Sequence, residues 1–289
     1  MEGRIGFKKN TIDVLNKPVF IVGCPRSGTT WLHRLVISHQ EICGGPESGF
    51  FHQFWSVLSN LNWDVEASRG GWLLAYWDRS KLKNKIYELW VETFYDFVEH
   101  ESSSILCEKT PNHALRISNI NDLLPEAKFI HIIRDSRSTV ASLLSASRSW
   151  GNNWAPSTPK KAAILWYQHV KQARLQSADL AEGAYMEVHY EDLKNNTQVE
   201  MARVFDFIGV SCTENQLLAM IQEQDFEKQK AMGGSKFSIG NIKAEPLGFF
   251  NKGLTDGWRK DLTWLEQLIV WRFTRKLMDE CGYRWGGRK

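Results

Sequence analysis

Residues 18–36, PVFIVGCPRSGTTWLHRLV, decide the fold. The run from Pro18 to Cys24 is short, apolar and rich in β-branched side chains, the pattern of a buried strand. A Pro-Arg-Ser-Gly turn breaks it. From Thr29 to about His39 the spacing becomes helical, with Leu32, Leu35 and Val36 on one face. Between strand and helix, Gly23-Cys24-Pro25-Arg26-Ser27-Gly28-Thr29-Thr30 has the G-x4-G-x-[ST] spacing of a phosphate-binding loop. Glycine lets the backbone turn tightly and aim its N–H groups at an oxyanion. The first turn of the following helix adds partial positive charge at the same place. The lysine of triphosphate-hydrolysing loops is absent. Thr29 stands in its position, and Arg26 is the cation inside the loop.

Outward from this unit, the alternation continues. Apolar runs at 105–109, 128–134 and 185–190 read as three more strands. Helical spacing covers 72–100 (one or two helices around a polar stretch near 78–85), 114–124, 136–147, 160–181, 197–208, 213–222 and 262–280. The glycine-rich stretch 231–257 has no period and reads as a long loop or lid. Strands alternating with helices imply an α/β fold of three layers, with a central parallel sheet covered on both faces. No repeat or linker divides residues 1–289, so a single domain is expected, with its ligand at the carboxyl ends of the strands.

With 289 residues, 43% of them hydrophobic, the chain can bury a large core without covalent staples. A net charge of +3 excludes a disordered chain and a nucleic-acid coat. The five cysteines are scattered and form no CxxC pair, so neither a zinc knuckle nor a dithiol redox site is expected, and a reducing, cytoplasmic setting fits. There is no apolar leader, no run of about 18 apolar residues and no metal-ligand cluster. The expectation is therefore no metal, no membrane span and no nucleic-acid partner. The Asn195-Asn196-Thr197 sequon is read as fortuitous.

The segment PRSGTTW at 25–31 resembles the 5′-phosphosulfate loop of the sulfotransferases that use 3′-phosphoadenosine 5′-phosphosulfate (PAPS). Arg26 matches the tyrosylprotein and bacterial branch, whereas the soluble small-molecule branch carries lysine. The resemblance implies that Arg26, Ser27, Gly28, Thr29 and Thr30 hold the 5′ end of PAPS and that Trp31 lies beside the adenine. In FIHIIRDSRSTVASLLS, Arg134 and Ser142 match the family's 3′-phosphate pair, an arginine at a strand end and a serine on the next helix. Tyr190-Glu191-Asp192-Leu193 matches a YEDL after the fourth expected strand, with Tyr190 near the nucleotide. Asn251-Lys252-Gly253 before Gly257-Trp258-Arg259-Lys260 resembles the segment that folds over the 3′-phosphate. Lys252 and Gly253 match there, and Asn251 replaces an arginine.

The resemblance implies transfer of a sulfuryl group to a hydroxyl or amine by in-line attack. Cations aimed at the leaving phosphate supply most of the help. Arg26 and Lys109 are the candidates for that work. Glu47, in GPES, matches the base of the arginine-containing branch. His113 is the alternative, by analogy with the other branch, and Glu47 is favoured. Trp55, Trp63, Trp72, Trp77, Trp150 and Trp154 fall in segments without a motif and are candidates to line an acceptor pocket. The acceptor class stays open among small molecules, glycans and peptides. A P-loop kinase and a non-catalytic nucleotide-binding module are the competing readings.

Overall fold

The computed structural model describes residues 7–59, 77–224 and 255–288. After α1 (Lys9–Asn16) come β1 (Val19–Gly23), α2 (Thr29–Val36), β2 (Ile42–Cys43), α3 (Phe50–Ser59) and α4 (Arg79–Glu101). β3 (Ile105–Lys109) leads through a 3-10 turn at Pro111–Leu115 into α5 (Ile117–Leu123) and β4 (Lys128–Ile133). Then follow α6 (Ser136–Ser147), α7 (Pro159–Ser177), β5 (Tyr185–His189), α8 (Tyr190–Asn195), α9 (Thr197–Ile208) and α10 (Glu214–Glu223). α11 (Trp258–Asp261), α12 (Trp264–Glu280) and a hairpin of β6 (Tyr283–Arg284) and β7 (Gly287–Arg288) complete the described chain.

The main sheet has the order β2-β3-β1-β4-β5, and every neighbouring pair is parallel. Ile21 lies opposite Lys109 on one side and Ile130 on the other. The four strands expected from the apolar runs are all present. β2 and the β6–β7 hairpin were not anticipated, because two-residue strands carry no readable period. Residues 72–76 and most of the stretch 231–257 lie outside the described residues.

The strands are apolar on both faces because both faces are covered. All five residues of β1 are buried. Phe20, Val22 and Phe129 pack on one side against Trp90, Phe50 and Phe51, with Phe20 and Phe129 stacked at 5.5 Å. Ile21, Ile130, Ile132 and Val188 pack on the other side against Leu32 and Leu35 of α2 and Val204 and Phe205 of α9. A third cluster joins Ile133 to Leu143, Trp166, Val270, Met278 and Tyr283. Truncating a core ring such as Phe20 to alanine costs about 3–5 kcal/mol in general.

Helix starts follow from local chemistry. Asp78 accepts from the Lys81 N–H at 2.7 Å, and Thr213 and Thr263 form capping boxes with Gln216 and Glu266. From β1 the chain first fills the β2–β3 side of the sheet and later crosses to β4. The carboxyl end of β1 is thus the switch point, the place where open α/β sheets bind their ligands.

Candidate active site

The loop from Gly23 to Thr30 lies at that switch point. Ser27 locks it from inside: its N–H donates to the Cys24 carbonyl at 3.0 Å and its hydroxyl to the same carbonyl at 2.7 Å. Gly28 caps α2 in the left-handed region, φ 104°. A Cβ there would lie 2.5 Å from Cδ2 of Tyr190. Arg26 also has positive φ, 74°, an uncommon state for a residue with a side chain. Strained backbone of this kind clusters at functional sites.

Two arginines meet over the loop. Arg134, just past the end of β4, donates from Nη1 to the Arg26 carbonyl at 3.3 Å and stacks 4.2 Å above the ring of Tyr190. Its own carbonyl accepts from the indole of Trp166 at 2.9 Å. Arg26 donates from Nε to the Ser142 hydroxyl at 3.1 Å, and its guanidinium lies 5.2 Å from the centre of the Trp150 ring. Arg26, Arg134, Ser142 and Tyr190 therefore form one connected cluster. Trp31 closes its far side, edge-on to Tyr190 at 5.7 Å. The indole N–H of Trp31 is buried without a hydrogen-bond partner among the described residues.

On the other flank of the loop lies Lys109, the last residue of β3. Only 5% of it is exposed, and its amine reaches the Glu47 carboxylate at 2.6 Å and the Thr30 hydroxyl at 3.3 Å. Glu47 is itself exposed, on the loop between β2 and α3. His113 is fully buried, edge-on to Phe20 and Phe51, with Nδ1 2.9 Å from Glu108 Oε2 but off the line of a hydrogen bond. Glu47 is the carboxylate at the mouth of the site, and His113 belongs to the core beneath it. Lys252 and Gly253 lie outside the described residues, as do Asn251, Trp63, Trp72 and the side chain of Trp55. Trp77 packs at the edge of the core; Trp150 and Trp154 pair at 5.6 Å, with Trp154 exposed.

Several residues that shape the site carried no signal as single letters. Asp135 is buried and chelates the guanidinium of Arg137 at 3.0 and 2.6 Å. Arg137 also donates to the carbonyls of Trp285 and Arg284 and lies 3.9 Å from the centre of the Trp258 ring. Glu191 accepts from the Asp135 N–H at 3.1 Å and from the Tyr283 hydroxyl at 2.7 Å. Burial pushes its carboxyl above the ordinary range. These bonds tie the turn after β4 to α8 and to the terminal hairpin. The one available signal was Asp135-x-Arg137, an opposite-charge pair at a helix start.

A phosphate loop at the switch point of a parallel sheet, with a second arginine supplied by the adjacent strand, defines a P-loop-like nucleotide-binding protein. Residues 18–214 match the family model of the Sulfotransferase family. The chain belongs to that family, the PAPS-dependent sulfotransferases, and stands closer to its tyrosylprotein and bacterial-type branch than to its small-molecule branch. The protein-tyrosine sulfotransferase of Drosophila melanogaster is 25% identical over 210 residues, covering 72% of this chain and 40% of that protein. Sulfotransferase 2A1 of Rattus norvegicus is 22% identical over 274 residues, covering 88% of this chain and 82% of that one. Among solved structures, the sulfotransferase domain from the curacin biosynthetic pathway superposes with TM-score 0.59 at 18% identity, covering 90% of this chain and 97% of that one. Mouse sulfotransferase SULT7A1, solved with PAP, gives TM-score 0.58 at 14% identity, covering 96% and 94%. These two likenesses concern the fold.

The cluster brings together groups able to bind an anion and an aromatic ring. It offers two guanidinium groups, a hydroxyl, the loop N–H groups, a buried indole donor and a tyrosine ring. No group of three or more acidic, histidine or cysteine side chains among the described residues is disposed to hold a metal. No described helix is long and apolar enough to cross a membrane.

Proposed function

We propose that this chain transfers the sulfuryl group of PAPS to a hydroxyl or amine of an acceptor, with Glu47 as the base and Lys109 and Arg26 serving the leaving phosphate. The observation that carries this reading is the contact of Lys109 with both Glu47 and Thr30. A cation that touches the base on one side and the phosphate loop on the other spans the distance over which the group must move. The acceptor loses its proton to Glu47, its oxygen or nitrogen bonds to sulfur, and the bond from sulfur to the bridging oxygen breaks. The charge left on that oxygen is met by cations and backbone donors, which act strongly in a site sheltered from water. Arg134, Ser142 and Tyr190 are the proposed holders of the 3′ end, and Trp31 of the adenine. Arg26 reaches towards Ser142, so the two phosphate positions share a wall. Lys252 and Gly253 remain proposed closing contacts from the sequence pattern alone.

The kinase reading rested on the loop by itself and lost its support with the family assignment. Glu47 is exposed at the edge of the site, an arrangement that suits small molecules, glycans and peptides alike.

The test is transfer of ³⁵S from labelled PAPS to pooled acceptors, in parallel with ³²P transfer from ATP. Label from PAPS and none from ATP is expected. Glu47→Gln is expected to lower turnover about 10²-fold or more while adenosine 3′,5′-bisphosphate still binds. Near-normal turnover of that variant would reject Glu47 as the base. Failure of the folded wild type to bind the bisphosphate would reject the whole reading.

A further inference from the structure

Directly under the site lies a buried carboxylate for which the proposed chemistry has no use. Glu108 precedes Lys109 on β3 and is 3% exposed. Its Oε1 accepts from the Ser48 hydroxyl at 2.7 Å, the Thr110 hydroxyl at 2.7 Å and the Ser48 N–H at 3.3 Å. Its Oε2 lies 2.9 Å from His113 Nδ1. Both hydroxyls are used twice. Thr110 Oγ1 accepts from the Gly49 N–H at 3.1 Å, and Ser48 Oγ accepts from the Phe50 N–H at 3.1 Å. One carboxylate therefore organises three consecutive backbone N–H groups, those of residues 48, 49 and 50, directly or through one hydroxyl. These are the residues that follow Glu47.

An ionised carboxylate is costly to bury unless its oxygens are satisfied. Here the two hydroxyls and the N–H satisfy Oε1, and the imidazole of His113 lies beside Oε2 without a hydrogen bond to it. Burial alone pushes the Glu108 carboxyl up, but His113 and the two hydroxyls outweigh it and hold the group at about 2. It stays an acceptor across the working range of pH. Acceptor-only chemistry suits a hub that takes hydrogen bonds from a loop needing donors satisfied.

We propose that Glu108 is a positioning residue: it anchors the turn 48–50 to the end of β3 and thereby sets Glu47 against Lys109. The role rests on the reading of Glu47 and Lys109 as the reacting pair, but the geometry it claims is separately measurable. Strand neighbours point to opposite faces. Lys109 therefore faces the site while Glu108 faces inward and grips the loop. Two successive residues of one strand thus act on Glu47, Lys109 at the Glu47 carboxylate and Glu108 through the backbone of the residues that follow Glu47.

The test needs no acceptor. The rate at which acetic anhydride labels Lys109 is read by peptide mass spectrometry in wild type, Glu47→Gln, Glu108→Gln, Ser48→Ala and the Glu47→Gln/Glu108→Gln pair. The Glu47→Gln change removes the carboxylate from the amine and is expected to raise labelling about threefold or more. Glu108→Gln and Ser48→Ala are expected to raise it similarly, because Glu47 drifts away. In the double variant, labelling is expected to match Glu47→Gln alone. Binding of adenosine 3′,5′-bisphosphate, measured by calorimetry, is expected to stay within about twofold throughout.

Unchanged labelling in Glu108→Gln overturns the proposal. So does an effect that multiplies in the double variant, which would mean general loosening rather than action through Glu47. If Glu108→Gln does not fold, Ser48→Ala decides, and unchanged labelling there rejects the proposal. Failure of Glu47 as the base appears separately, as normal turnover of Glu47→Gln with the labelling pattern intact.

Discussion

Substituting Gly28 by alanine probes the loop and the proposed nucleotide site together. Two costs follow from the structure. The residue sits at φ 104°, where an L side chain meets the following carbonyl; left-handed backbone costs roughly 1–2 kcal/mol. The added methyl would stand 2.5 Å from Cδ2 and 2.9 Å from Cε2 of Tyr190. That ring is 3% exposed and wedged between Trp31 and the Arg134 guanidinium, so it has little room to move. Overpacking of this kind costs about 1–3 kcal/mol. The sum is about 2–5 kcal/mol, and at roughly 2–4 °C per kcal/mol the melting temperature is expected to fall by about 4–20 °C. Urea denaturation and scanning calorimetry measure it. Tyr190→Ala separates the parts: in that background Gly28→Ala is expected to cost only the backbone share, about 1–2 kcal/mol, leaving a coupling of about 1–3 kcal/mol. Affinity for adenosine 3′,5′-bisphosphate is expected to fall about tenfold in Gly28→Ala, since the displaced ring leaves Arg134 unsupported. The reasoning fails if Gly28→Ala lies within about 0.5 kcal/mol of wild type, or costs the same in both backgrounds.

Two further perturbations follow from buried charge. Burial lowers His33 and His131 to about 3, and His169 and His189 to about 4. The unfolded chain then takes up protons first, so stability is full above about pH 6.5 and is lost as pH falls towards those values, by up to about 1.4 kcal/mol per pH unit for each group. A melting temperature equal at pH 7 and pH 5 would contradict this. Replacing Arg137 by methionine removes the partner of the buried Asp135 and is expected to cost about 3–5 kcal/mol. Adding Asp135→Asn should restore part of that loss, and a purely additive pair in denaturation would show that the two charges do not act together.

Much of the site was legible in the sequence wherever the signal is local. The change from a strand period to a helical period around PRSGTTW marks the loop, because both periods are properties of the backbone and need no partner. Arg134 and Ser142 share one strand–helix unit, so their spacing survives folding. Glu108 gave no such sign. A glutamate before a lysine reads as a surface charge, and only the return of residues 48–50 to the end of β3 makes it a hub. His113 read as the alternative base, and nothing in its local sequence told that Phe20 and Phe51 enclose it. Short β2 exists because β3 offers it an edge to pair with, not because Ile42 and Cys43 prefer strand.

By itself, then, the sequence determined the alternation of strand and helix, the phosphate loop and the order of its arginine partners along the chain. Only the tertiary structure decided which distant groups meet: Lys109 with Glu47, Arg26 with Ser142, Arg137 with Trp258. Backbone periodicity and loop geometry act over a few residues and leave a trace in the order of letters. A contact between side chains scores of residues apart is chosen by how the layers pack, and a linear pattern holds no record of that choice.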